Sequence, residues 1–255
     1  MDRLDFSIKL LKRVGYFLMQ HWGKVNQVDL KTDFKDIVTD VDKRAQDMIV
    51  EEIRKHFPGE KILSEEGITE DGDKLWVVDP IDGTINFVHG LPSFSISLAY
   101  LENGEARLGV VHAPALNETF FAERGRGAFL NGERIKVSEN DRLERCVGSI
   151  GSYVDFTGKF IEKMEKVTRR IRVLGSAALN ACYVAAGRVD FFVAKRVNPW
   201  DVAAAFLIVE EADGTITDFQ GKKVKTFGGD LVFSNGKIHD EVLRVVGEVL
   251  EREVR

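Results

Sequence analysis

Twelve residues, WVVDPIDGTINF from Trp76 to Phe87, hold the densest chemistry in this 255-residue chain. An apolar run ends on Asp79, Pro80 follows, and Asp82 stands just before Gly83 and Thr84. A proline cannot donate to a sheet ladder, so the strand is expected to stop there. That leaves Asp79 at its carboxyl end, the edge at which open α/β sheets place ligands. Asp82 then falls one turn further on, near enough for both carboxylates to grip one ion or bridge two. Gly83 and Thr84 open the next segment with unobstructed backbone N–H groups, which suits an anion such as phosphate. Taken alone, D-x-x-D-G-T is equally well a surface turn.

Three further stations supply acids. In KILSEEG, Glu65 and Glu66 follow a short apolar run, where a solvated acidic face is the plainer explanation. In KDIVTDVDKRAQ, Asp36, Asp40 and Asp42 surround a helix start, where capping accounts for Asp40. In NPWDVAAAF, Asp201 opens a very apolar helix and is explained in the same way. Each station is weak alone; four at strand ends and helix starts suggest a common site. Oxygen ligands with no Cys or His cluster suit Mg²⁺, which commonly joins a substrate phosphate. Two such ions can activate water and stabilise a departing oxygen. Phosphoryl transfer needs mainly positioning and charge neutralisation, so no side-chain nucleophile is required.

The elements that must carry these residues can be read from periodicity. Leu4, Ile8, Leu11, Val14 and Leu18 give an amphipathic helix ending near Gly23, and a polar loop is expected to Asp36. A second helix runs from Thr39 or Asp40 to about His56, where Pro58 and Gly59 end it. KILS and KLWVVD read as strands. Hairpin turns fall at Asn103-Gly104, Gly125 and Asn131-Gly132. Beyond residue 140, strands and helices alternate: CVGSIGS, a helix over 157–168, RIRVLGS, a helix over 177–186, VDFFVAK, a helix over 200–212, TITDF, LVFSNG and a last helix from Ile238. The fold class is therefore α/β or α+β. A first half, residues 1–140, carries most of the acids; a second half, residues 141–255, completes one compact unit. Trp76 and Trp200 flank the acid stations and are expected to pack the site floor, while His89 and His112 read as structural groups.

Bulk properties exclude several classes. The hydrophobic share of 44%, the charged share of 30% and the net charge of −5 are those of a globular protein without a basic block, so no nucleic-acid partner is expected. Cys146 and Cys182 are far apart and form no zinc or disulfide pattern, which fits a reducing cytoplasm. No apolar run reaches membrane-spanning length, and no membrane partner is expected. No G-x-x-x-x-G-K-[ST] is present, nor an early D-x-D-x-[TV], which disfavours P-loop and aspartyl-phosphate chemistry.

The blocks GEKILSEEG, WVVDPIDGTINFVHG and NPWDVAAAFLIVEEADG closely resemble the inositol monophosphatase family of magnesium-dependent, lithium-sensitive sugar phosphatases, in order and spacing across essentially the whole chain. The resemblance implies a layered αβαβα sandwich and hydrolysis of a small phosphate monoester with two or three Mg²⁺ ions. It implies that Glu65, Asp79 and the Ile81 carbonyl surround the first ion, that Asp79, Asp82 and Asp201 hold the second, and that Glu65 also holds a weaker third. Thr84, backed by Asp42, would orient or deprotonate the attacking water, with Glu65 completing the catalytic set. The Gly83 and Thr84 amides would cradle the phosphate, beside Asp82. Gly175, Ser176 and Ala177 would contact the substrate. Lys31 and Asp36 would lie on a loop that closes over the metals.

One departure concerns specificity. An acid that binds inositol hydroxyls in animal members stands seven positions before the WD aspartate; here that place is Ala194, followed by Lys195 and Arg196. Together with Arg172 these cations would favour a second anionic group on the substrate. The plainer reading is that Lys195 and Arg196 are solvated or meet a neighbouring subunit and that Arg172 snorkels from the core edge. The expected activity is thus myo-inositol monophosphate hydrolysis with fructose 1,6-bisphosphate as a further substrate. The alternatives are a primary fructose-1,6-bisphosphatase, a 3′-phosphoadenosine 5′-phosphate phosphatase and, from a different class, a regulatory partner of the transcription machinery. A homodimer is expected, with a tetramer as the larger assembly.

Overall fold

The computed structural model describes every residue except 1, 26–28, 31–36, 152, 154, 225–226 and 252–255. The first half runs α1 (Arg3–His21), β1 (Asp29–Leu30), β2 (Ile37–Val38), α2 (Asp40–His56), β3 (Lys61–Ser64), β4 (Lys74–Asp82), α3 (Thr84–Val88), β5 (Ser95–Glu102), β6 (Glu105–Ala113), β7 (Glu118–Glu123), β8 (Gly127–Leu130) and β9 (Glu133–Ile135). The second runs β10 (Val147–Ile150), α4 (Thr157–Met164), β11 (Arg170–Arg172), α5 (Ala177–Ala185), β12 (Phe191–Val197), α6 (Pro199–Glu211), β13 (Thr215–Asp218), β14 (Gly229–Ser234) and α7 (His239–Leu250). The expected helices and strands are present. Two differences are that α4 stops at Met164 and that part of the expected 23–36 loop pairs, Asp29 and Leu30 lying antiparallel to Val38 and Ile37.

Strands β3 to β9 form a seven-stranded sheet in chain order, parallel only between β3 and β4. The second sheet has the order β11-β10-β12-β14-β13. Residue alternation assigns the faces. On β4, Trp76 and Val78 pack with α1 and α2, whereas Val77 packs with α5 and α6. On β12, Phe192 and Ala194 join that same middle core, while Phe191 and Val193 turn to α4 and α7. Five layers result: α1/α2, large sheet, α5/α6, small sheet, α4/α7. This is the αβαβα sandwich.

The middle helices are apolar nearly all round, as AALNACYVA and PWDVAAAFLIVEE must be when sheets cover both faces. Small residues let the layers close. A Cβ on Gly109 of β6 would stand 2.4 Å from the Ala204 carbonyl oxygen, so α6 backbone rests directly on the sheet. Trp76 departs from its expected place. It is buried against Phe57 and Tyr100 with its Nε1 donating to Glu60 Oε2 at 2.8 Å, in the α1/α2 core rather than on a site floor. Among the described residues, no helix is long and apolar enough to cross a membrane.

His112 is a buried structural group. Its Nδ1 lies 3.1 Å from the Glu118 carbonyl oxygen and 3.0 Å from Thr119 Oγ1. Burial pushes its pKa from 6.5 down to about 4, against the carbonyl's opposing pull.

Two outcomes follow from this packing. Gly109→Ala should lower stability by roughly 1–3 kcal/mol, because the added methyl meets helix backbone. Gly247→Ala, in the last turn of α7 with nothing within 4 Å of the new Cβ, should raise it by up to about 0.5–1 kcal/mol. Denaturant titrations of both variants beside wild type check the two signs. For His112, the unfolded chain binds a proton between pH 6.5 and about 4 that the folded chain excludes. The stability present above that window is therefore lost as the pH falls through it. Melting curves across the window should show the loss, and His112→Asn should flatten it.

Candidate active site

β4 does not stop at Pro80. It continues to Asp82 with a register shift: Asp79 pairs with Ser97 and Asp82 with Ser95, three steps on one strand against two on the other. Pro80 thus sits in a bulge, a position that tolerates a missing N–H. The extra residue has a consequence for the acids. In a regular strand, residues three apart face opposite sides; the bulge restores the phase, so Asp79 and Asp82 both face α5 and α6.

Asp82 meets the start of α5. Ser176 caps that helix, accepting from Leu179 N at 3.3 Å. Its hydroxyl also donates to Asp82 Oδ2. The amides of Ala177 and Ala178 donate to Oδ1 and Oδ2 at 2.9 Å each, and Ser95 Oγ adds a bond to Oδ2 at 3.2 Å. Burial pushes the Asp82 pKa up to about 6 while these four donors hold it down. Oδ2 therefore carries three donors and Oδ1 one, so the open acceptor position is on Oδ1.

Asp79 is 1% exposed and accepts from Ile81 N at 3.0 Å. Its pKa lies well above the usual carboxylate range, first through burial and then through the charges of Glu65, Asp82 and Asp201. Four acids from three elements thus share one neighbourhood. Glu65 arrives directly after β3, its amide donating to Val78 O at 3.2 Å. Asp201 arrives in the first turn of α6, where its Oδ2 also accepts from Asn198 N at 2.7 Å.

The second feature is a hydroxyl–carboxylate pair. Asp42, in the first turn of α2, accepts on Oδ2 from Thr39 N at 2.9 Å and Thr39 Oγ1 at 2.5 Å. Its Oδ1 lies 3.2 Å from Thr84 Oγ1, which is also 3.1 Å from the Ile81 carbonyl oxygen. Burial raises the Asp42 pKa, against the pull of its Thr39 bonds. Between Asp82 and Thr84, Gly83 has φ +95°, and a Cβ there would press on the Gly175 and Ser93 carbonyl oxygens at 3.0 and 3.1 Å. No side chain fits.

A cavity of about 410 Å³ opens beside these groups, with Asp82, Asp201, Gly175, Ser176 and Ala177 on its wall. The cations expected near it do not line it. Lys195 Nζ stands 4.9 Å from the Phe156 ring centroid, on the α4 side of the small sheet. Arg196 is exposed, with φ +52° and its amide donating to Asp230 Oδ1 at 2.8 Å. Arg172 is exposed, with Nη1 donating to Ile171 O at 3.1 Å. None of the three lines the cavity. Lys31 and Asp36 lie outside the described residues.

Sequence reading missed Ser95, Asn86, Tyr153 and Asn180. Asn86 bridges three segments: its Nδ2 donates to Ser93 O at 2.6 Å and Leu174 O at 2.7 Å. A polar residue inside an otherwise apolar helix was the available signal for both asparagines. The donor set fits a hard divalent cation: carboxylate oxygens and one carbonyl, crowded until one acid resists ionisation. Among the described residues, no group of three or more Asp, Glu, His or Cys side chains already stands as a metal-ligand set. Much of the Asp82 acceptor capacity goes to α5 and Ser95.

Comparison with known proteins identifies the family. A protein of Thermotoga maritima named fructose-1,6-bisphosphatase/inositol-1-monophosphatase is 71% identical over 251 residues, 98% of each chain. The Nus factor SuhB of Pasteurella multocida is 38% identical, covering 99% of this chain and 98% of its own. A solved IMPase/NADP phosphatase complexed with Mg²⁺ and phosphate superimposes with a TM-score of 0.86 at 27% identity, covering 96% of both chains. The profile of the inositol monophosphatase family matches residues 2–251, which takes in all five layers and every acid station. By that match this chain belongs to the inositol monophosphatase family.

Proposed function

We propose that this protein is a Mg²⁺-dependent phosphomonoesterase acting on myo-inositol monophosphate, with fructose 1,6-bisphosphate as a second substrate. The observation that carries the reading is the meeting of Glu65, Asp79, Asp82 and Asp201 beside a cavity, with the Thr84–Asp42 pair adjoining. Crowded buried carboxylates are unfavourable by themselves, and divalent charge relieves them.

In this reading Glu65, Asp79 and the Ile81 carbonyl hold one ion. Asp79, Asp82 and Asp201 would hold a second, and Glu65 would serve a weaker third. When bound, the ions supply charge for the phosphoryl oxygens and lower the pKa of water. The chain's own groups do the positioning. Thr84 donates its hydroxyl proton to Asp42, which leaves the Thr84 oxygen free to accept from a water and aim it. The Gly83 and Thr84 amides hold the phosphate on one side, while Gly175 to Ala177 support the alcohol portion on the other. No side chain forms a covalent bond to phosphorus.

Inositol monophosphate ranks first because Lys195, Arg196 and Arg172, expected to meet a second phosphate, do not line the cavity. The bisphosphate rests on the name of the Thermotoga maritima relative. The name of the Pasteurella multocida relative supports a regulatory role, but a purely regulatory chain has no use for four converging acids.

Phosphate release from both substrates, with Mg²⁺ and after EDTA, tests the proposal. Mg²⁺-dependent turnover is expected, and no metal-dependent turnover of either substrate refutes it. Asp82→Asn should reduce kcat/KM by about 100-fold or more, and Thr84→Ala by roughly 10²-fold or more through loss of water positioning. Thr84→Ala should melt within a few degrees of wild type, whereas Asp82→Asn, which weakens the bonds to α5, should melt lower while staying folded at the assay temperature. Near-normal turnover by Asp82→Asn would remove it from the metal set.

A further inference from the structure

We infer that Asn180 is a specificity-determining residue, whose side-chain carbonyl accepts a hydrogen bond from a hydroxyl of the substrate's alcohol portion. This rests on the phosphatase reading and extends it to a polyol phosphate as the substrate class. Asn180 lies on α5, 1% exposed, and lines the same cavity as Asp82 and Asp201. Its Nδ2 donates to the Ser176 carbonyl oxygen at 2.6 Å. That bond orients the amide, because the flipped rotamer would set two carbonyl oxygens against each other.

The other end of the amide is unmet. Asn180 Oδ1 is buried and has no hydrogen-bond partner. Of the four buried side-chain atoms without a partner among the described residues, those of Arg3, Ser7, Ser93 and Asn180, only the last belongs to a residue on this cavity wall. Its neighbours there include Phe192 and Val197, whose side chains have nothing to donate, and Asn86, Tyr153 and Ser176, none of which donates to Oδ1. Buried acceptors are rarely left unmet, so the donor is expected from what enters the cavity.

Position fits a hydroxyl near the ester. Asn180 stands one helical turn beyond Ser176, about 6 Å along the axis, and Ser176 marks the edge where Asp82 sits. A phosphate held at that edge places the ring of a cyclic polyol over the next turn of α5. Opposite, the two N–H bonds of Asn86 to Ser93 and Leu174 tie α3 to the loop before α5, so this wall is preformed.

The test compares two substrates on Asn180→Ser and Asn180→Asp. Serine can still donate to the Ser176 carbonyl but lacks the distal oxygen; aspartate keeps an acceptor but lacks the donor. On myo-inositol 1-phosphate, Asn180→Ser should lose about tenfold in kcat/KM, mostly through KM, as expected for one hydrogen bond. On p-nitrophenyl phosphate, which has no ring hydroxyl, it should stay within about twofold. Asn180→Asp, whose carboxylate opposes the Ser176 carbonyl with no donor to orient it, should lose the substrate preference as Asn180→Ser does. Melting curves exclude unfolding as the cause. An unchanged ratio in Asn180→Ser, or equal losses on both substrates, overturns the assignment. Failure of wild type on both substrates would instead overturn the phosphatase reading itself.

Discussion

The Asp82 carboxylate is the joint on which the site depends. It projects from the end of β4 into the start of α5 and takes the Ser176 hydroxyl and two helix amides. Charge-assisted bonds of this kind contribute roughly 1.5–3 kcal/mol each, and the helix N-terminus favours the negative charge. Burial opposes them, which is why the carboxyl still titrates well above an ordinary aspartate. The same contact joins the large sheet to the middle helix layer. The proposed ion-binding edge and a structural seam thus coincide in one side chain.

That seam needs close backbone approach, and small residues permit it. Gly83 has no room for a side chain between the Gly175 and Ser93 carbonyls, and Gly109 has none against Ala204. The first sets the gap between α3 and the loop before α5. The second sets the depth of α6, and so the reach of Asp201 toward Asp79. The bulge at Pro80 sets the third coordinate by turning Asp79 and Asp82 to one face. A shift in any of these would leave every acid present and the site unmade.

For these acids, capping does not compete with a place at the site. Asp42 and Asp201 both complete capping boxes at their helix starts, as a local reading suggests, and both also face the site. Each uses one oxygen for the helix: Oδ2 of Asp42 bonds Thr39 and Oδ2 of Asp201 bonds Asn198. In Asp42 the other oxygen turns to Thr84. The cap holds the rotamer that the site requires. For Lys195, alternation held the answer, since it follows Phe191 and Val193 at steps of two and shares their outer face. Arg196 would have shared the inner face with Phe192 and Ala194, but the bulge between Ala194 and Val197 releases it to solvent.

From the sequence alone came the helices and strands, the α/β class and the acid stations, because periodicity, turn residues and motif order are local properties carried in neighbouring letters. The family resemblance added the αβαβα layering. Asn103-Gly104 marks its hairpin, and five apolar positions from Leu4 to Leu18 mark α1. Only the folded chain decided which stations meet and which polar groups stand unpaired. Glu65 reaches Asp79 through a parallel strand pair, and Asp201 reaches it through a helix resting on a glycine far away in sequence. The empty acceptor of Asn180 exists only because α5 is packed between two sheets. Long-range packing sets distances and burial, and these have no representation in the spacing of residues along the chain.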